Sequence, residues 1–229
     1  MTRILKRLLK KFRKARNSRR KAANKAATAK SKPSLLYQSK RSLGTEQRLE
    51  MISARWDDED RSLLDIACNL GEMTRYAADK GLLALGIDYS TRAITAASNA
   101  HDGISNLAFM RFEITPESAS KIPSFDVTLC LSVYHYWMEI YGEATAWSMV
   151  AQLIERTRRK FFFEPASLLK KYGANPPPGV ADLDREGLID YHLNQLRRVV
   201  KEDWSVVHLG ETSCLGREPF RLLFMVSRD

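Results

Sequence analysis

The 229-residue chain lacks two features that would place it in well-known protein classes, a long apolar run and a Cys-x-x-Cys pair. No apolar run approaches the roughly 20 residues that a membrane-spanning helix needs, which excludes a helical transmembrane protein. It has three widely spaced cysteines, Cys68, Cys130 and Cys214, and no Cys-x-x-Cys pair. This spacing excludes a disulfide scaffold and a cysteine zinc site, and it fits a reducing compartment.

Two nucleotide-binding motifs are also absent. The chain has no Gly-x-Gly-x-x-Gly turn, which disfavours a nicotinamide-dependent dehydrogenase, and no Gly-Lys-Ser/Thr loop, which disfavours a kinase or GTPase. His101, His192 and His208 have no acidic or cysteine residues at metal-ligand spacing, so we predict no metal site.

Acidic residues are missing from the first 41 positions, which contain sixteen Lys and Arg. The rest of the chain has 21 basic and 27 acidic residues, a net charge of −6. The sequence therefore predicts a mildly acidic globular domain over residues 42–229, preceded by a basic arm over residues 1–41. A uniformly basic nucleic-acid-binding domain does not fit this distribution.

The first 17 residues of the basic arm predict an amphipathic helix, and residues 18–32 a helical or disordered tether. The apolar face consists of Ile4, Leu5, Leu8, Leu9 and Phe12. Four interpretations remain open: a membrane-surface helix, an arm for RNA or another polyanion, an organelle transit peptide, or a solvated tail without a partner. The apolar face favours an anionic membrane surface, because phosphate binding does not require Leu and Phe on one side. We therefore expect a cytoplasmic protein, peripheral on the inner face of a membrane.

Predicted strands alternate with predicted helices along the rest of the chain. The strands are residues 62–68, 82–87, 107–112, 125–131, 161–163, 206–209 and 220–226, and the helices are residues 47–55, 72–80, 90–99, 143–155 and 183–200. Alternation of this kind indicates a parallel sheet covered on both faces. The last two strands are too close in sequence for a helical crossover, so they should pair antiparallel. The fold class is therefore α/β, a doubly wound, mostly parallel seven-stranded sheet with an antiparallel last strand.

The turn after the first strand has the composition of a ligand cradle, because a strand, a tight turn and a helix N-terminus meet there. Ala67 and Gly71 are small enough for a ligand to approach the backbone, and Asn69 tolerates a left-handed conformation. Asp88 ends the second strand, where a carboxylate can accept hydrogen bonds from both hydroxyls of a ribose. Glu113 follows the third strand, where an adenine edge can be held.

In three ordered segments, residues 64–71, 86–90 and 125–137, the sequence resembles class I S-adenosylmethionine-dependent methyltransferases. The resemblance spans roughly residues 47–229, includes the closing antiparallel strand, and implies a Rossmann-like methyltransferase fold. The family's first turn is usually richer in glycine than this one.

The resemblance implies S-adenosyl-L-methionine as cofactor, with the first turn against its methionine part. Asp65 would order that turn or receive the amino group, and Asp88 would bind the ribose. Ser132 and Tyr134 would line the methyl-transfer pocket. The full set of implied cofactor-binding residues is Asp65, Ala67, Asn69, Gly71, Asp88, Tyr89, Glu113, Ile114, Ser132 and Tyr134.

Two residues are candidates for catalysis, since a general base helps when the methyl acceptor is a hydroxyl. His135 follows the fourth strand and is either a base or substrate contact, or a packed histidine. Glu164 ends the fifth strand and is either a polar pocket residue or a carboxylate near solvent. The run at residues 175–177, Asn-Pro-Pro, looks like the motif of methyltransferases acting on DNA bases. It follows the fifth strand rather than the fourth, so we interpret it as a stiff loop.

The predicted function is O-methylation of a small-molecule, lipid-linked or glycan acceptor near a membrane surface. One alternative is an RNA or protein methyltransferase with a polyanion-binding arm. The other is a non-catalytic interaction module on a methyltransferase fold.

Overall fold

A computed structural model of the protein describes residues 42–165, 179–180, 182–214 and 217–228. The basic arm, for which an amphipathic helix and a tether are predicted, lies outside the described residues, as does the Asn-Pro-Pro run at residues 175–177. The division of the chain at residue 41 therefore stays a prediction.

The centre of the fold is one sheet of seven strands in the order β3-β2-β1-β4-β5-β7-β6. The strands are β1 (Ser62–Ile66), β2 (Leu83–Asp88), β3 (Leu107–Arg111), β4 (Phe125–Leu131), β5 (Thr157–Glu164), β6 (Ser205–Cys214) and β7 (Arg217–Ser227). Strands β1 to β5 pair in parallel, and β7 pairs antiparallel with both β5 and β6. The predicted fold class is confirmed.

Six α-helices are present in the described residues, one before β1 and the others between strands. They are α1 (Ser42–Ser53), α2 (Glu72–Asp79), α3 (Thr91–Ala100), α4 (Tyr134–Tyr141), α5 (Glu143–Glu155) and α6 (Arg185–Val199). None of these helices combines the length and apolarity needed for a membrane crossing. Helix α4 is absent from the sequence prediction, because it has only eight residues and its first turn has no capping side chain.

Strand β5 begins four residues earlier than predicted. The apolar pattern that predicts the strand is interrupted by Arg158, Arg159 and Lys160, so the pattern does not include these residues. In the structure their charges are paired with acidic side chains, Arg158 with Asp126 and the other two with the acidic segment at residues 57–60. Paired charges can join a buried strand at its end, which an apolar pattern alone does not reveal.

Both faces of the sheet are buried. Phe161 and Phe163 point to the face covered by α5 and α6, and Phe162 points to the face covered by α1 and α2. All three rings are fully buried, as alternation along a central strand requires. The turns that follow the parallel strands thus meet at one edge, the carboxyl edge of the sheet, where ligands of such folds bind.

Candidate cofactor site at the carboxyl edge

The turn between β1 and α2, residues 67–71, has an unusual backbone. Ala67, Asn69 and Gly71 all have positive φ angles, +59°, +51° and +79°. Asparagine and glycine tolerate this left-handed conformation, which costs a residue such as alanine roughly 1–2 kcal/mol. The sequence indicated it for Asn69 but not for Ala67. Such strain is typical of segments that contact ligands.

Asp88, at the end of β2, holds this turn in place. Its Oδ2 accepts a hydrogen bond from the backbone N–H of Asn69 at 3.1 Å, and its Oδ1 accepts one from Ser90 at 2.8 Å. Burial raises the pKa of the Asp88 carboxyl, although both hydrogen bonds favour its ionised form. A carboxylate has about four acceptor positions, so about two remain for ligand hydroxyls.

Asp65 is a second buried carboxyl beside the turn. It lies in β1, and its Oδ2 accepts a hydrogen bond from Thr74 Oγ1 at 2.7 Å. Burial and the nearby charge of Asp88 raise the pKa of Asp65 to about 7, although Thr74 and Arg48 oppose the change. The carboxyl is therefore poised between its neutral and ionised forms at neutral pH, and a cationic ligand group would favour the ionised form.

Glu164, at the end of β5, is fully buried in an ion-pair cluster, so the expectation of a carboxylate near solvent is wrong. It accepts hydrogen bonds from Arg48 at 3.2 Å, from Arg221 at 2.8 Å and from the Ser132 hydroxyl. Burial alone would raise the pKa of Glu164, but the two guanidinium groups and these hydrogen bonds hold it below its usual range. A carboxylate with a lowered pKa is a weak base, which argues against the catalytic role predicted for Glu164.

Tyr134 and His135, on the first turn of α4, both point into the protein. The Tyr134 ring is fully buried, 4.8 Å from the Trp147 ring and 5.3 Å from the Phe163 ring. It therefore packs in the core, and its side chain does not line an open pocket, contrary to the prediction. The His135 ring is also buried, and its centroid lies 4.1 Å from that of Tyr136 with the ring planes tilted by 38°, which supports the packed alternative.

The remaining predicted residues occupy the same edge with different exposure. Tyr89 and Glu113 follow β2 and β3 and are exposed, as ligand contacts can be. Ile114 is buried in the core cluster. Ser132 follows β4 with a positive φ angle of +57°. The structure thus brings the turn, Asp65 and Asp88 together, while the predicted catalytic pair lies in the interior.

Sequence reasoning missed Arg48, Thr74 and Arg221. Arg48 and Arg221 are 116 and 57 positions from Glu164 in the sequence. A contact over such a separation leaves no local spacing signal. Thr74 is nine positions from Asp65, on the first turn of α2, and only the geometry of the β1–α2 turn reveals its bond.

The raised pKa of Asp65 makes the free energy of unfolding depend on pH. The folded state favours the neutral Asp65 carboxyl. Its contribution to the free energy of unfolding is therefore complete below the pKa near 4 that the group has in the unfolded chain, and it is lost as the pH rises through about 7. We expect the free energy of unfolding, measured in urea, to fall by about 2 kcal/mol more between pH 5.5 and pH 8 in the wild type than in Asp65→Asn. Equal slopes in the two proteins would contradict this assignment.

Comparison with known proteins identifies the fold family. Residues 64–159 match the family model of the methyltransferase domain. No curated protein sequence matches the chain.

Several solved structures are similar. WbdD, a bifunctional kinase-methyltransferase, has a TM-score of 0.61 and 20% identity, over 79% of this chain and 40% of its own. Magnesium protoporphyrin IX methyltransferase (ChlM) from Synechocystis PCC 6803, with bound SAH, has a TM-score of 0.58 and 19% identity, over 87% of this chain and 90% of its own. The plantazolicin methyltransferase BamL has a TM-score of 0.55 and 16% identity, over 82% and 84%.

The chain spans 40% of the WbdD chain that it matches. At these identities the similarity concerns the fold. The strand order with its antiparallel β7 is that of the methyltransferase fold, and the family match over residues 64–159 supports a class I S-adenosylmethionine-dependent methyltransferase.

Proposed function

We propose that this methyltransferase transfers the methyl group to a hydroxyl of a small-molecule, lipid-linked or glycan acceptor near a membrane surface. In the proposed complex S-adenosylmethionine lies against the turn at residues 67–71. The observation that carries the cofactor placement is the pair of buried carboxyl groups beside that strained turn, Asp65 two residues before it and Asp88 bonded to its Asn69 amide. The bound cofactor supplies a methyl group on a sulfonium, and the chain supplies the binding and the orientation.

Each carboxyl group suits one part of the cofactor. Asp88 keeps acceptor positions for the two ribose hydroxyls after binding Asn69 and Ser90. Asp65, with its pKa near 7, suits the cationic amino group, whose charge would favour the carboxylate. Tyr89 and Glu113 are exposed after β2 and β3, where the adenine would extend beyond the carboxyl edge of the sheet.

The acceptor surface is proposed to lie beside Ser132 and α4. Tyr136 and Ile140 are one helical turn apart on α4, and 51% and 56% of their surfaces are exposed. The exposed apolar surface formed by Tyr136 and Ile140 favours an acceptor with an apolar or ring-shaped part. Because His135 is buried and Glu164 has a lowered pKa, we assign neither as the base. The reaction then depends on orientation of the acceptor lone pair, and the acceptor proton passes to solvent.

The basic arm is proposed to bind an anionic membrane surface. The ten cations of residues 1–20 would each contribute about 1 kcal/mol near anionic lipid, and the apolar face would enter the headgroup region. The similar structures do not indicate the acceptor, because two of them are named for different compounds, a magnesium porphyrin and plantazolicin. The alternative, an RNA or protein acceptor with a polyanion-binding arm, is therefore kept as an outcome of the test.

Asp88→Asn tests the proposed cofactor placement. The substitution keeps the shape of the side chain and removes the charge from hydrogen bonds worth about 1.5–3 kcal/mol. We expect S-adenosylmethionine affinity, measured by titration calorimetry, to fall about 10- to 150-fold. The control is Asp79→Asn on the exposed side of α2, where affinity should not change. Equal affinity in Asp88→Asn and wild type would place the ribose elsewhere.

A labelled-methyl experiment tests the acceptor and the arm together. The full chain and methyl-labelled cofactor are incubated with lipid, glycan, RNA and protein fractions of a cell extract. We expect label in the lipid or glycan fraction. For a vesicle-borne acceptor, Leu8→Gln with Phe12→Gln should reduce labelling and leave cofactor affinity unchanged, because the pair removes apolar groups without adding charge. Label in the RNA or protein fraction would support the alternative acceptor. Cofactor binding without label in any fraction would support the non-catalytic module.

A further inference from the structure

We propose that Phe109 is the positioning residue of the turn at residues 67–71. This inference rests on the proposed binding of S-adenosylmethionine at that turn. Phe109 lies on the edge strand β3, opposite Gly86 of β2 in the strand register. Its ring covers both Gly86 and Gly71, the last residue of the turn.

The two glycines leave the space that this ring occupies. A Cβ atom at Gly71 would lie within 3.0 Å of Cε1 and Cζ of Phe109, closer than real Cβ contacts. A Cβ atom at Gly86 would lie 2.7 Å from Cδ1 of the same ring and 2.9 Å from Cys68 Sγ. Interiors are packed closely enough that no side chain fits at either position while the ring stays in place.

His101 lies beside the Phe109 ring. It follows α3, and its ring centroid lies 5.8 Å from that of Phe109. Its Nε2 lies 3.2 Å from the backbone oxygen of Leu70. In the tautomer with a proton on Nε2, His101 donates a hydrogen bond to Leu70, so Phe109 and His101 support two successive residues of the turn.

This arrangement gives Gly71 a different role from the one that the sequence suggested. Its lack of a side chain accommodates the Phe109 ring behind the turn, rather than only a ligand in front of it. Asp88 fixes the amide of Asn69, and Phe109 fixes Gly71, so the strained turn is held at two points. Phe109 would act on the cofactor through the turn, whose amide groups must be held to within about 0.5 Å to bind well.

A comparison within β3 separates positioning from general stability. Leu107 lies two residues before Phe109 on the same face of the strand, opposite Ala84, and packs in the core cluster away from the turn. Phe109→Leu and Leu107→Ala both remove apolar packing, and both should lower the melting temperature. We expect S-adenosylmethionine affinity, measured by calorimetry on the full chain well below both melting temperatures, to fall about tenfold in Phe109→Leu and less than about twofold in Leu107→Ala. Equal changes in affinity would overturn the inference.

A double-mutant cycle tests the contact itself. Gly71→Ala is made in the wild type and in Phe109→Leu, and affinity and melting temperature are measured for all four proteins. The backbone strain of a side chain at φ +79° is the same in the wild type and in Phe109→Leu. The coupling energy between the two substitutions therefore measures the contact of residue 71 with the Phe109 ring. We expect Gly71→Ala to lower the affinity and the melting temperature far less in Phe109→Leu than in the wild type. If Gly71→Ala folds only when Phe109→Leu is also present, that outcome supports the contact equally.

Two further outcomes are distinct. If Gly71→Ala has equal effects in both backgrounds, the glycine serves the ligand or the backbone alone and the inference fails, while the proposed function stands. If the wild type does not bind S-adenosylmethionine, the proposed function fails, and a zero coupling in melting temperature would then overturn the Phe109–Gly71 contact as well.

Discussion

The hydrogen bond from the Asn69 amide to the Asp88 carboxylate is the interaction on which the candidate site depends. A buried carboxylate needs donors, because an unpaired charge in the interior costs several kcal/mol. The left-handed turn supplies one of these donors, and the start of the next segment, Ser90, supplies another. These hydrogen bonds therefore offset the cost of burying Asp88 and, through Asn69, part of the strain of the turn, and they hold the ends of β1 and β2 in a single site.

The two halves of the carboxyl edge differ in their electrostatics. Beside β1 and β2, burial leaves Asp65 and Asp88 with raised pKa values, so a cation bound there would recover electrostatic energy. Beside β5, Glu164 has a lowered pKa because Arg48 and Arg221 surround it. The first half suits a cationic cofactor. The second is an internal ion-pair cluster that joins α1, β5 and β7 beneath the proposed acceptor surface.

The sequence predicted the fold well because its signals are local. Buried strands such as β4 are rich in apolar residues, Asp88 ends β2, and the first turn directly follows β1. The short helix α4 and the early start of β5 were missed, because one lacks a capping residue and the other begins with charged side chains.

The incorrect predictions for site residues have one physical cause. Position along the chain placed Tyr134, His135 and Glu164 near the edge correctly, but burial depends on neighbours distant in sequence. The Tyr134 ring packs on Trp147, and Glu164 is enclosed by residues from α1 and β7. Gly71 shows the same limit, since only the structure reveals Phe109 behind it.

The proposed contact between Asp65 and a cationic group of the cofactor can be measured through the proton that binding releases. S-adenosylmethionine is titrated calorimetrically into the full chain at pH 7 in phosphate and in Tris, two buffers with different ionisation enthalpies. We expect binding to drive Asp65 to its ionised form and to release about half a proton more than binding to Asp65→Asn. Saturable binding with the same proton release in wild type and Asp65→Asn would contradict it.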